Sequence, residues 1–592
     1  MCGIVGYVGT NRAQPVLLDC LSKLEYRGYD SCGIAIGCSP LAVCKDAVSV
    51  EDLARDMKPL SGNVGVGHTR WATHGEPSRL NAHPHSDCTG KIAVVHNGII
   101  DNYLALRSQL SLEGHEFVSE TDTEVIPHLI EKYYRGDLET ATKAALAELS
   151  GSYAIVAVCD AQKTLVAARK GSPLIIGVGK NEFIVASDVP AVLSHTDKII
   201  YLEDEDMVVL TQSSIYITNN GKEVKRPVQT TSWNVDDIQK LGFEHFMLKE
   251  IYEQPQIARS LISKLGSKQW PSSDPALTFD GSGITIMACG TSYHAGLIAK
   301  YIIEELIQIP VRVEIASEIN SRKRLLRSRY VIGISQSGET ADVLTAVKRL
   351  KVDGSRIVAL SNVYGSSITR IADQTIYTKA GPEISVAATK TFLAQIITLV
   401  KLAVSQSAIN PLEEDRLNKR LTEIPGKIQQ ILDSKMEIEE CARYLSSHDH
   451  VFLVARGINV PSALEAALKL KEIAYIHAEG YNAGELKHGP FALLSSKVPV
   501  VAIVARDETH RTMLNCIEEI RARKAPIIIL AEEGDRTVDE LADYVIRVPA
   551  THALLSPILN VVTLQLLAYY TAKIRGCPID KPRNLAKSVT VE

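Results

Sequence analysis

The chain has 592 residues and a formal net charge of −5, with 45% hydrophobic and 22% charged residues. That length exceeds what one hydrophobic core supports and calls for two to four domains. The mildly acidic balance without a long basic run speaks against nucleic acid as a partner, and eleven scattered cysteines without paired zinc spacing fit a reduced, cytoplasmic chain.

The chain opens MCGIVGYVG, with Cys2 ahead of a strand-like run. A secretory signal would need a basic start, a longer apolar core and a cleavage site, and none is present. Two readings of Cys2 stay open at this point. It is a buried thiol, or removal of Met1 sets its thiol beside a free α-amine, a nucleophile with its own base. Up to about residue 225, helical patterns at Gln14–Leu24 and Thr123–Tyr134 alternate with short strands at Ile92–His96, Tyr153–Val158 and Phe183–Ala186. Turn signals such as Asn219-Asn220-Gly221 separate them, so largely antiparallel sheets with packed helices are expected, an α+β domain over 1–225.

Three polar motifs lie in this domain. In HTRWATHG (His68–Gly75), Arg70 offers a bidentate clamp for a carboxylate. In HNGI (His96–Ile99), the Asn97 amide and the Gly98 N–H suit an oxyanion. In TDTE (Thr121–Glu124), Asp122 suits an ammonium. A ligand carrying both carboxylate and ammonium is an amino acid. His68, His74, His83 and His85 match no common metal-ligand spacing, and no metal is expected.

Lys225–Asp237 is polar and aperiodic and reads as linker, within a 226–243 connection. From Ile284 strands and helices alternate, as in a parallel α/β sheet. A repeat is visible. Gly290 and Gly457 each follow a strand and open a helix, and Glu318 and Glu485 each lie 28 residues further on. Two doubly wound α/β domains are expected, over 244–425 and 426–575, followed by a tail, 576–592, laid across a surface. Phe392–Val404 and Ile558–Tyr570 are apolar but interrupted by Gln395, Lys401, Asn560 and Gln565, and read as buried helices rather than membrane spans.

SQSGET (Ser335–Thr340) follows a buried strand and opens a helix, and CGTS (Cys289–Ser292) ends the preceding strand. Backbone N–H groups and hydroxyls at such a place form an anion site, and the absence of a GK[ST] sequence favours a single sugar phosphate over a nucleotide. The second copy has Ala505-Arg506-Asp507-Glu508 there, and its acids would repel phosphate. That copy instead carries Lys469, Lys471 and Glu472 in one helical run and His488 in ELKHGP. Glu472 and His488 could move protons at a sugar and open its ring, and Lys587 in the tail could form a Schiff base with a ketose; surface ion pairs and a capping histidine are the plain alternatives.

CGIVGYVG, EYRGYDS, HTRWATHG, HNGI and TDTE resemble an N-terminal-nucleophile glutaminase domain of layered αββα build. CGTS, ISQSGET, ALKLKE, ELKHGP and PRNLAKSVTVE resemble paired sugar-isomerase domains. Together, along nearly the whole chain, they resemble the isomerising glutamine–fructose-6-phosphate aminotransferases of bacterial type. The resemblance implies catalytic roles for Cys2, Asn97, Gly98, Glu472, His488 and Lys587. It implies glutamine binding by Arg70, Trp71, Thr73, His74 and Asp122, with Trp71 gating an internal ammonia channel. It implies sugar-phosphate binding by Thr291, Ser292, Ser335, Gln336, Ser337, Thr340 and Lys469. The implied partners are glutamine and fructose 6-phosphate, in a homodimer whose His488 reaches a neighbouring subunit, with no cofactor, nucleic acid or membrane. Two departures stand out: Ala388 where serine is often found, and Cys32 where a smaller residue is usual. A different ammonia-using amidotransferase would need phosphoribosyl-pyrophosphate or ATP-pyrophosphatase motifs, which are not seen. A sugar-phosphate sensor would have no use for the Cys2, Arg70, Asn97 and Asp122 set.

Overall fold

The computed structural model describes residues 2–160, 162–231, 233–263, 279, 281–322 and 328–590. Strand Gly3–Gly9 is buried along its whole length, which its mixture of glycine and apolar residues permits on both faces. It pairs antiparallel with Val64–Arg70 and Glu182–Ala186 inside an eight-stranded sheet. A seven-stranded antiparallel sheet contains Ile92–Ile100, Gly151–Cys159 and Leu165–Lys170. Ile4, Val8 and Val66 of the first sheet meet Val95, Val156 and Leu165 of the second in one apolar core. Each such side chain, fully buried, contributes about 1.5–3 kcal/mol relative to exposure. Helix Ala13–Ser22 covers the outer face of the first sheet, and Val125–Tyr133 and Leu138–Leu146 cover the second. The layers therefore run α, β, β, α.

The expected linker is partly ordered into this unit. Val228–Thr230 pairs antiparallel with Lys198–Tyr201 at the sheet edge, and the first unit extends to Gln239. A three-residue edge strand is too short to show a two-residue period. Cys32 is buried, its Sγ 3.2 Å from the Val48 carbonyl, and burial pushes its thiol up to about 12.

The second unit holds two five-stranded parallel sheets. The first is built from Ile284–Ala288, Val311–Ile315, Tyr330–Ser335, Arg356–Ser361 and Gln374–Tyr377, and the second from His450–Ala455, His477–Asn482, Val500–Val504, Ile527–Glu532 and Tyr544–Val548. Numbered along the chain within each sheet, both have the order 2-1-3-4-5. The repeat read from the glycine spacings is thus a repeat of topology. Helices Lys390–Ser405 and Ser556–Ile574 are apolar on nearly every side because they are enclosed on nearly every side. The latter, with its preceding turn, is long and apolar enough to cross a membrane, but 83% of that window is buried inside the protein.

The tail lies along the second unit as far as Leu585. The Asp580 carboxylate accepts from the Phe246 and Met247 N–H groups at 2.9 and 3.0 Å, capping helix Phe246–Ile262. Arg583 sits over the Tyr475 ring, 4.3 Å from its centre. Residues 339–341 and 586–590 group with the first unit.

Candidate active site

Strands Gly3–Gly9, Val64–Arg70 and Ile92–Ile100 end at one pocket. Cys2, Arg70, Trp71, Thr73, Asn97, Gly98 and Asp122 line it, together with His83, His96, Thr121, Thr123 and Thr590. The Trp71 N–H donates to Cys2 Sγ at 3.2 Å. Burial pushes the Cys2 thiol above its ordinary value, and the Trp71 N–H and the Arg70 guanidinium pull only partly the other way. A resting thiol is therefore protonated, and its use as a nucleophile demands a base at hand.

Asn97 is oriented from behind. Its Oδ1 and the His96 carbonyl both lie 3.0 Å from His68 Nε2, so that nitrogen carries the proton and donates to them. The Asn97 Nδ2 is left facing the site and donates to the Cys2 carbonyl at 2.9 Å. Gly98 has φ +129°, and a Cβ there would stand 2.0 Å from the Ser152 carbonyl oxygen, so only glycine brings this N–H to the pocket. Arg70 is held by the carbonyls of His74 and Gly75. His74 thus serves through its backbone, and its ring does not line the pocket. One Asp122 oxygen accepts from the Ile100 N–H at 2.9 Å, which fixes the carboxylate.

Four buried histidines cluster here, His83 and His96 in the pocket wall and His68 and His85 beside them, with His68 stacked on His83 at 4.1 Å. Burial lowers all four, His68 to about 3. They are neutral in the folded protein, while the unfolded chain takes up protons below about 6.5. Stability is therefore lost as the pH falls below that value, and each histidine steepens the loss by up to about 1.4 kcal/mol per pH unit. Hydrogen exchange in strand Ile92–Ile100 at pH 7 and pH 5 is expected to show lower protection at pH 5 after correction for intrinsic rates.

In the second unit, CGTS and SQSGET follow strands one and three of the first parallel sheet, on either side of the point where strand order reverses. Ligands of such sheets bind there. Gly338 has φ +67°, and a Cβ would stand 2.0 Å from Ser366 Oγ; the turn closes with the Gly338 N–H donating to Ser335 Oγ at 3.1 Å. The Gln336 carbonyl accepts from the Asn362 N–H. Ser292 Oγ accepts from Gln395 at 3.1 Å. Ser337 lies on the same turn, and Thr340 falls in the segment that groups with the first unit, as does Lys587.

Thr291 joins a buried charged cluster that the sequence reading saw only in part. Lys469 Nζ is 3.4 Å from Glu465 Oε1 and 3.3 Å from Thr291 Oγ1, and it also pairs with Glu472. His294 Nδ1 is 2.7 Å from Glu465 Oε2, and Thr291 donates to Glu465 at 3.0 Å. Burial pushes the Glu465 carboxyl up, but Lys469 and His294 overcome it and hold it below its ordinary value. Glu465 and His294 were not among the expected site residues. Glu465 shares a helical face with Lys469 and Glu472, but that spacing is common to surface ion pairs and did not by itself single it out. His488 is exposed at the end of the short turn Ala483–His488, and among the described residues no hydrogen bond or ion pair joins it to Lys469 or Glu472. Ala388 is half-buried beside Thr389.

An amidotransferase pocket on a layered αββα unit, followed by two sheets of sugar-phosphate-binding type, defines the class. Residues 68–194 match the glutamine amidotransferase domain, and 280–405 and 444–575 each match the SIS domain. The chain is 45% identical over 612 residues to a glutamine–fructose-6-phosphate aminotransferase (isomerizing) of Clostridium tetani, and 47% over 618 to one of Methanosarcina mazei, with all of each chain covered. It belongs to the isomerizing glutamine–fructose-6-phosphate aminotransferase family. The C-terminal domain of glucosamine-fructose-6-phosphate aminotransferase from Francisella tularensis matches with TM-score 0.55 and 37% identity, covering 58% of this chain and 99% of that one.

Proposed function

We propose that this enzyme converts fructose 6-phosphate and glutamine to glucosamine 6-phosphate and glutamate. The observation that carries the reading is the single pocket that gathers Cys2, Arg70, Asn97, Gly98 and Asp122, on a chain whose other unit repeats a sugar-phosphate-binding sheet. Removal of Met1, which lies outside the described residues, frees the Cys2 α-amine. With a pKa of about 7.7–8.0 it is partly neutral at pH 7 and takes the thiol proton. The thiolate attacks the glutamine amide carbon. Asn97 Nδ2 and the Gly98 N–H hold the oxyanion, Arg70 the α-carboxylate and Asp122 the α-ammonium, and water releases glutamate from the thioester. Asn97→Ala is expected to lower kcat for glutamine hydrolysis about 10²–10³-fold with a smaller change in KM.

The ammonia passes inside the protein to the sugar, with Trp71 as its gate. The phosphate rests on Ser335, Gln336, Ser337 and Thr340, with Thr291, Ser292 and Lys469 beside the sugar. His488 of a second subunit opens the ring, which makes the working enzyme a homodimer; Lys587 forms an imine at C2 of the open ketose with loss of water, ammonia adds at C2 and expels the lysine amine, and Glu472 moves the proton between C1 and C2. None of the eleven cysteines is joined in a disulfide, which suits a reducing cytoplasm. Product analysis tests the reading. Glutamate and glucosamine 6-phosphate are expected in equal amounts with both substrates present. Glutamate without any amino sugar would retain the glutaminase and overturn the acceptor.

A further inference from the structure

The glutaminase unit holds a second constellation, away from the residues that act on glutamine. Cys88 lies in the turn before strand Ile92–Ile100, His115 follows helix Tyr103–Leu112, and His128 and Glu131 stand one turn apart on helix Val125–Tyr133. Cys88 Sγ is 3.6 Å from His115 Nδ1 and 3.4 Å from His128 Nδ1. Glu131 Oε2 is 3.1 Å from His115 Nδ1 and 3.5 Å from His128 Nδ1. All four atoms lie within 4.8 Å of one another. Zinc bonds of about 2.3 Å to sulfur and about 2.0–2.1 Å to nitrogen or oxygen, at tetrahedral angles, set S and N about 3.6 Å apart and N and O about 3.3 Å apart. The four observed separations bracket those values.

We propose that Cys88, His115, His128 and Glu131 form a four-coordinate structural site for zinc. Four protein ligands close the coordination shell, so the site holds structure and does no chemistry. Its surroundings match that role. The Glu116 N–H points at Cys88 Sγ at 3.4 Å, as suits a thiolate, and the Cys88 N–H donates to Glu131 Oε2 at 3.0 Å. The far nitrogen of His128, which is buried and has no hydrogen bond, faces Glu124 Oε1 at 3.9 Å. A carboxylate behind a ligating histidine sets its tautomer and raises its basicity. Glu124 is itself fixed by the N–H groups of Val118 and Ser119. The metal would pin both ends of segment 115–128, which carries Thr121 and Asp122 into the glutamine pocket. The other grouping of this kind, Asp19, Cys20 and His195, already has a cation: Lys23 Nζ lies 2.6 Å from Asp19 Oδ2, and burial pushes the Cys20 thiol up to about 12.

The test is cobalt binding by the full-length protein, kept reduced, for wild type, Cys88→Ser and His115→Ala. Wild type is expected to bind one Co²⁺ per chain with the strong visible absorption of tetrahedral cobalt and a thiolate-to-cobalt band in the near ultraviolet. Cys88→Ser, an exposed and conservative change, is expected to lose the thiolate band and about tenfold or more in affinity, and His115→Ala to lose affinity similarly. Added Zn²⁺ is expected to displace the cobalt and to raise the melting temperature of wild type but not of either variant. A wild type that takes up no cobalt, or a Cys88→Ser spectrum equal to wild type, overturns the proposal.

Discussion

Cys2→Ala is expected to abolish glutamine hydrolysis, lowering kcat on the order of 10⁴-fold or more, the scale seen when a covalent nucleophile is removed. No second thiol lines the pocket: Thr121 and Thr123 have imidazoles beside them, His85 Nε2 at 3.0 Å and His96 Nδ1 at 2.8 Å, but their hydroxyls are weaker nucleophiles than a thiol. Arg70, Asn97 and Asp122 remain in place, so glutamine should still bind. Equilibrium binding that stays within a few fold of wild type, together with lost turnover, separates chemistry from folding. Hydrolysis at the wild-type rate would make Cys2 a packing residue and leave the pocket without a nucleophile.

Lys469→Met is expected to cost about 3–5 kcal/mol of stability in the second unit, because it leaves buried Glu465 without its lysine and with His294 alone beside it. Glu465 and Lys469 are 2% and 1% exposed, so solvent cannot take over the role of either partner. The double change Lys469→Met with Glu465→Gln should recover most of the loss, since no buried charge is then uncompensated. Thermal unfolding of the three proteins reads this directly, and a double variant as unstable as the single one would contradict it. The same cluster sets an acid dependence. Glu465 is held below its ordinary value of 4.5 in the fold. Its contribution is therefore fully present above about pH 4.5 and is lost as the pH falls through the lower folded value.

Much of this was legible in the chain, for identifiable reasons. The buried strands of the two parallel sheets announce themselves as continuous apolar runs, and the repeated glycines mark where each first strand turns into its helix. Cys2, Asn97 and Gly98, which line one pocket, could be picked out as candidates because they sit in short contiguous motifs. The buried partner of Lys469 was harder to see. Glu465 is four residues away on a helix that looks like any charged helix face, and only its burial distinguishes it from a surface ion pair. His294 comes from helix Gly290–Ile307, which follows the first strand of the other parallel sheet, so no local pattern points to it. The same holds for Cys88, His115 and Glu131, whose spacings of 27 and 16 residues resemble no compact metal motif. The strand at Val228–Thr230 escaped notice because edge pairing, not side-chain period, defines it.

The central claim is that nitrogen leaves glutamine at Cys2 and reaches the sugar without escaping to water. Glutamine labelled with ¹⁵N at its amide, supplied with fructose 6-phosphate and an excess of unlabelled ammonium, tests it most directly by mass spectrometry of the amino sugar. The account predicts glucosamine 6-phosphate carrying ¹⁵N almost completely. Unlabelled product, in proportion to the free ammonium, would show that the nitrogen passes through bulk solvent and would contradict it.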